Sequence, residues 1–284
     1  MKNKYLKLLS VTTGIIICAL IIYLLIPPSY SQIMTKAVRK AMGKDFREYQ
    51  SPSFPTNNFG ILTTYENEVT DQSLLCAMSG CFDSLIINNE SDSINLGGLA
   101  DVGRGPAILL NERNQHSVSL KTLLPKLWDI LGIEAGVDKK EIVNVGLKLG
   151  PTYERHLNKI KFNAFINRLP DDNLYKRQYL TGNLVVIVAD VVVRNMEIVI
   201  NLEDSAAARL NAIISPEVTM TSDTLKGEFK RLTSGQYSFK INQPLIVLRL
   251  ARKQPQGGVL GESENFNDWI PVKDNIDKKI KVKH

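Results

Sequence analysis

The stretch LVVIVADVVVRNMEIVINL, Leu184–Leu202, decides the fold. It is dense in β-branched residues, which pack well on a pleated surface. Asp190, Arg194, Asn195 and Glu197 interrupt it, too many polar groups for a membrane span. The stretch reads as two strands, roughly 183–193 and 196–202, and predicts a hairpin about Arg194-Asn195. The length of the first apolar run implies burial on both faces. Asp190 is a carboxylate inside that run, and strand alternation predicts that it faces outward.

Upstream, Val143, Val145, Leu147 and Leu149 alternate as in a strand, which Gly150-Pro151 ends. Tyr153, Leu157, Ile160 and Ala164 recur at spacings of three and four, which predicts a helix to about residue 168. Ser119 caps a predicted helix to about residue 134, with Pro125 awkward in its interior. Ile61, Thr63 and Tyr65 alternate as an early strand. Leu74–Ile87 reads as two short strands about Ser79-Gly80, and Ala107–Leu110 as another. Between them, GGLADVGRG (97–105) has the glycines of a phosphate loop but no following Gly-Lys-Ser/Thr, so it reads as a flexible loop.

Downstream, Asp204 or Ser205 caps a short helix, Ala206–Ile213. Strands near 217–221, 227–232, 236–241 and 244–250 follow, and Trp269-Ile270-Pro271 docks the tail. Many hairpin-like strands around three or four helices predict an α+β class with a mixed, largely antiparallel sheet.

The amino terminus is different in kind. LLSVTTGIIICALIIYLLI, Leu8–Ile26, carries no charge, follows Lys2, Lys4 and Lys7, and is closed by Pro27-Pro28. Nineteen residues at 1.5 Å each make roughly 28 Å of helix, close to the hydrocarbon thickness of a bilayer. A single transmembrane signal-anchor over residues 1–28 is the expectation. A cleaved signal peptide, cut after Ser31 with Ser29 at −3, is the competing one, although the run exceeds the usual 7–15-residue apolar region. Cys18 does not make a lipoprotein site, because Ile17 before it is not small. The three N-terminal lysines place the amino terminus in the cytoplasm and the rest outside it. The basic residues from Lys36 onward argue the other way from a greater distance.

Residues 29–56 hold a predicted basic amphipathic helix, about 32–47, and the start of the Pro- and Asn-rich boundary stretch SPSFPTNNFG (51–60). The globular domain spans 57–271 and a Lys-rich, solvated tail 272–284. The formal net charge is +6, but residues 1–7, 32–50 and 272–284 each contribute +3, leaving the remainder at −3. A nucleic-acid binder carries its basic face on the folded body, so no nucleic acid is expected.

Cys76 and Cys81 suit a disulfide across a four-residue hairpin loop, which fits an oxidising compartment. His116, His156 and His284 are far apart and lack partners at metal spacing, so no metal and no cofactor are expected. Glu154, Arg155, His156 and Asp190 are the weak catalytic candidates. The resulting expectation is a single-pass cytoplasmic-membrane protein, held in lipid by its N-terminal helix. Its domain outside the cytoplasm binds a protein partner or scaffolds an envelope assembly, without catalysis. The alternatives are a tethered enzyme using those four residues, or a protein that engages lipid through residues 32–47.

Overall fold

A computed structural model describes residues 29–70, 73–76, 99–105, 107–111, 120, 137, 139–213, 217–221, 226–255 and 266–273. In chain order the strands are β1 (Thr64–Glu66), β2 (Leu74–Cys76), β3 (Ala100–Gly105), β4 (Ile108–Asn111), β5 (Ile142–Leu149), β6 (Thr152–Leu157), β7 (Leu184–Val193), β8 (Met196–Leu202), β9 (Glu217–Thr221), β10 (Lys226–Thr233), β11 (Gln236–Ile241), β12 (Leu245–Lys253) and β13 (Ile270–Val272). The α-helices among the described residues are α1 (Tyr30–Met42), α2 (Lys159–Arg168), α3 (Leu174–Leu180) and α4 (Asp204–Ile213). Every strand pairing is antiparallel, so the α+β class holds.

All ten residues of β7 are buried, as its uninterrupted apolar run requires. The predicted hairpin at Arg194-Asn195 does not form. β7 pairs with β6 and β1 along one edge and with β12 along the other, whereas β8 pairs with β5 and β11 in a second sheet. A two-residue hairpin favours turns with positive φ, and neither Arg194 nor Asn195 has one. The chain turns a corner there instead.

The neighbouring chain segments turn at the same level. β5 belongs to the second sheet and β6 to the first, with Gly150-Pro151 between them; β11 and β12 are split likewise by residues 242–244. β3 and β4 divide in the same way. The corners are stitched together: Gly150 N–H donates to the Asn195 carbonyl at 2.9 Å and Arg194 N–H to that of Pro151 at 3.3 Å. Two corner glycines are needed for close approach. A Cβ on Gly150 would lie 2.6 Å from Asn195 Oδ1, and one on Gly105 would overlap Thr152 Oγ1.

Two further expectations are corrected. Residues 152–157 are strand β6, and the helix starts only at Lys159, capped by Asn158. The spacing of four between Tyr153 and Leu157 fits a period of two as well as one of 3.6, and pairing on both edges by β3 and β7 decides for the strand. Residues 100–105, read as loop, form β3, whose glycines hide the alternation but still pair with β6. The strand predictions for 217–221, 227–232, 236–241 and 244–250 correspond to β9–β12.

Helix α1 begins at Ser29, where a capping box closes: Gln32 N–H donates to Ser29 Oγ and Ser29 N–H to Gln32 Oε1. It ends at Gly43, whose φ of 105° suits glycine, and a 3-10 turn follows over Lys44–Phe46. The predicted 32–47 helix is therefore two pieces. Its apolar side, Tyr30, Ile33, Met34, Ala37 and Val38, is buried in the core that both sheets share. A second core lies on β7 at Leu184, Val186 and Val188, where Phe162, Tyr179, Phe266 and Trp269 pack. Among the described residues no helix is long and apolar enough to cross a membrane; Leu8–Ile26 lies outside them, as do the predicted helix from Ser119 and the strands after Cys76.

Candidate functional site

Three of the four candidates stand on β6, where its pleat separates them, and Asp190 stands on β7. Arg155 points inward and Glu154 and His156 to the other face, where the two stand 3.8 Å apart, both partly exposed. Asp190 is the correction with the largest consequence: it is fully buried rather than outward-facing. Its carboxylate accepts two bonds from Arg155, from Nε at 2.7 Å and Nη2 at 2.6 Å. Burial of that charge is tolerable because the fork-on-fork geometry compensates it.

The pair belongs to a longer row. Arg155, Asp190 and Arg249 are direct cross-strand neighbours on β6, β7 and β12. Arg249 is buried and donates from Nη1 to the Phe59 carbonyl at 2.9 Å and to the Tyr65 hydroxyl at 3.3 Å. Asp190 Oδ2 also accepts the Ile61 N–H at 2.8 Å. The segment Phe59–Ile61 is thus clamped over the row from both ends. Gly60 at its centre tolerates no side chain, because a Cβ would overlap Asp190 Oδ2 and lie 2.9 Å from Arg155 Nη2. Just beyond, Leu62 adopts a φ of 67°, uncommon without glycine, and is held by its N–H bond to the Ile187 carbonyl at 2.9 Å. These charges are spent on holding backbone.

Sequence reading missed Arg249. The signal was present: LIVLRLA, Leu245–Ala251, places one cation in an apolar strand, as IVADVVV places one anion. Two opposite charges that each interrupt an apolar run are candidates for mutual compensation.

A second feature lies away from that row. An open groove of about 700 Å³ runs between α1, the segment 47–50 and the end of β13. Lys36, Arg39, Arg47 and Lys273 line it, with Glu48 and Gln50. Arg39 donates to the Tyr49 carbonyl, and burial lowers its pKa from the ordinary value, although a guanidinium remains charged. Glu48 is bound to Arg252 Nη2 at 2.5 Å. Among the described residues no carboxylate pairs with any of the four lining cations.

Cys76 closes β2, buried and disulfide-bonded. Its predicted partner Cys81 lies outside the described residues, as do Cys18, His116 and His284. Peptide mapping of the full chain under non-reducing conditions is expected to recover Cys76 linked to Cys81; two free thiols would defeat that pairing. Among the described residues no group of three or more His, Cys, Asp or Glu is placed to hold a metal ion.

No protein-family model matches the chain, and no curated protein matches it. Among solved structures it is similar to that of a bacterial gasdermin from Bradyrhizobium tropiciagri, at 13% identity and a TM-score of 0.38, over 84% of this chain and 90% of that one. A likeness at that level leaves the site to be read from its own residues.

Proposed function

We propose that this is a membrane-anchored, non-enzymatic protein whose α+β domain lies outside the cytoplasm and works by binding a protein partner. The disulfide at Cys76 carries the reading, because such bonds persist in oxidising compartments. The uncharged run Leu8–Ile26 behind Lys2, Lys4 and Lys7 supplies the anchor and its direction. Only residues 27–29 separate that run from α1, which is packed into the core.

The enzyme alternative loses support because Arg155 and Asp190 are engaged with each other and face away from Glu154 and His156. Lipid insertion through residues 32–47 loses support because the apolar side of α1 is already buried. Fusions of the full chain to a periplasm-active phosphatase and to a cytoplasm-active fluorescent protein test the compartment. The phosphatase fusion is expected to be active and the other dark; the reverse would overturn the reading. Crosslinking in intact cells is then expected to trap a second protein on the domain.

A further inference from the structure

The groove beside α1 holds four cations that no carboxylate among the described residues pairs with. Lys36 and Arg39 come from one face of the helix, Arg47 from the segment that follows it, and Lys273 from the far wall after β13. The one carboxylate in the lining, Glu48, already holds Arg252. Like charges gathered in a concavity with low-dielectric walls repel one another and focus a positive potential. Exposed lysines scattered on a surface do not need a partner, but Arg39 lines the groove while only partly exposed. A group that reaches it has to enter.

We infer that the groove binds an acidic segment of the partner protein, in extended conformation, with carboxylates set against Lys36, Arg39, Arg47 and Lys273. This rests on the partner-binding reading above and names the chemistry of the partner. The lining positions on α1 run from Ser31 to Arg39, about 12 Å along the helix axis at 1.5 Å per residue. An extended chain advances about 3.3 Å per residue, so roughly four residues fill that length. A flat layer of lipid headgroups meets only the rim, where Lys36, Arg47 and Lys273 are exposed. A chain lying in the trough also reaches Arg39, and the side chain of Gln50 in the lining offers it polar contacts.

The test uses the full chain in nanodiscs of neutral phosphatidylcholine and the fluorescence anisotropy of a labelled hexaglutamate peptide. A hexaglutamine peptide is the control. Hexaglutamate is expected to bind, hexaglutamine not, and rising salt to weaken the complex. Lys36→Glu combined with Arg47→Glu is expected to weaken it at least about tenfold. Both side chains are exposed, so the fold should survive. Lys230→Glu, an exposed position on β10, is expected to change nothing. Equal affinity for the two peptides, or indifference to the double reversal, overturns the inference. So does binding of a soluble short-chain phosphatidylserine with the same dependence on Lys36 and Arg47 when the peptide does not bind, since that assigns the groove to headgroups. Failure here with the phosphatase fusion active removes only the groove. Peptide binding with the domain in the cytoplasm removes only the compartment.

Discussion

Asp190→Ala is expected to destabilise the folded chain by about 3–5 kcal/mol, the usual cost of removing one partner of a buried ion pair. The carboxylate is the anionic member of a buried row whose other members are Arg155 and Arg249. Without it the Arg155 guanidinium loses both bonds to Asp190, and the Ile61 N–H loses its acceptor. Desolvation of a charge is then left uncompensated, and a buried donor is orphaned as well. Urea unfolding of the full chain in detergent measures the loss, and a change under about 1 kcal/mol would sink the account. The double variant Arg155→Met with Asp190→Leu separates charge from shape. It removes the whole pair, so it is expected to recover a large part of the loss. Recovery should stay incomplete, because Ile61 N–H still lacks its partner.

Trp269→Ala is the second large effect, again about 3–5 kcal/mol for truncating a buried aromatic. Trp269 is 3% exposed. It meets Phe266 edge-on with ring centroids 4.9 Å apart, Phe162 at 6.4 Å, and the tilted Tyr179 ring at 6.1 Å. Burial, with the nearby Asp268 charge, pushes the Tyr179 hydroxyl up to about 12, so the whole cluster stays neutral. The cluster anchors the C-terminal strand, which pairs with β12 over three residues only. Arg252 Nη1 donates to the Trp269 carbonyl at 3.1 Å, and Lys159 Nζ meets Asp268 Oδ2 at 2.5 Å. Loss of the indole should therefore release this segment before the rest unfolds. Limited trypsin digestion is expected to cut after the buried Arg252 much faster than in the unaltered chain. An unchanged cleavage rate would show that β13 is held without the indole.

Much of the local structure was legible before any coordinates. Runs of β-branched residues marked β7 and β8, and alternation marked the buried side of β5 at Val145, Leu147 and Leu149, whereas Val143, which the same alternation puts with them, is exposed because the register shifts between Ile142 and Asn144. The amphipathic spacing after Pro28 marked α1, although its ends moved: Ser29 and Gln32 close a capping box, and Gly43 breaks the helix. The corners were partly written as well. Gly105-Pro106 and Gly150-Pro151 both stand where the chain passes between sheets, yet only the second was read, and only as the end of a strand.

The candidate site was half legible. Arg155 and Asp190 were singled out, but for catalysis, and Arg249 was missed. Lys36, Arg39 and Arg47 were visible as a basic helix face. Lys273, twenty positions past the end of β12, gave no sign of joining them.

What the sequence determined by itself is local: which stretches extend where one period is unambiguous, as in β7 and β8, where α1 and α4 run, and that Leu8–Ile26 is uncharged and apolar. Those properties depend on side-chain branching, hydrophobic period and short-range hydrogen bonds, all encoded within a few residues. Only the tertiary structure decided which sheet each strand joins, and so that Arg194-Asn195 is a corner rather than a hairpin. Only it decided that Asp190 is buried, because a carboxylate inside an apolar strand faces water or the core according to whether a cation is supplied. Here the cation comes from Arg155, thirty-five positions away, and no local period carries that information.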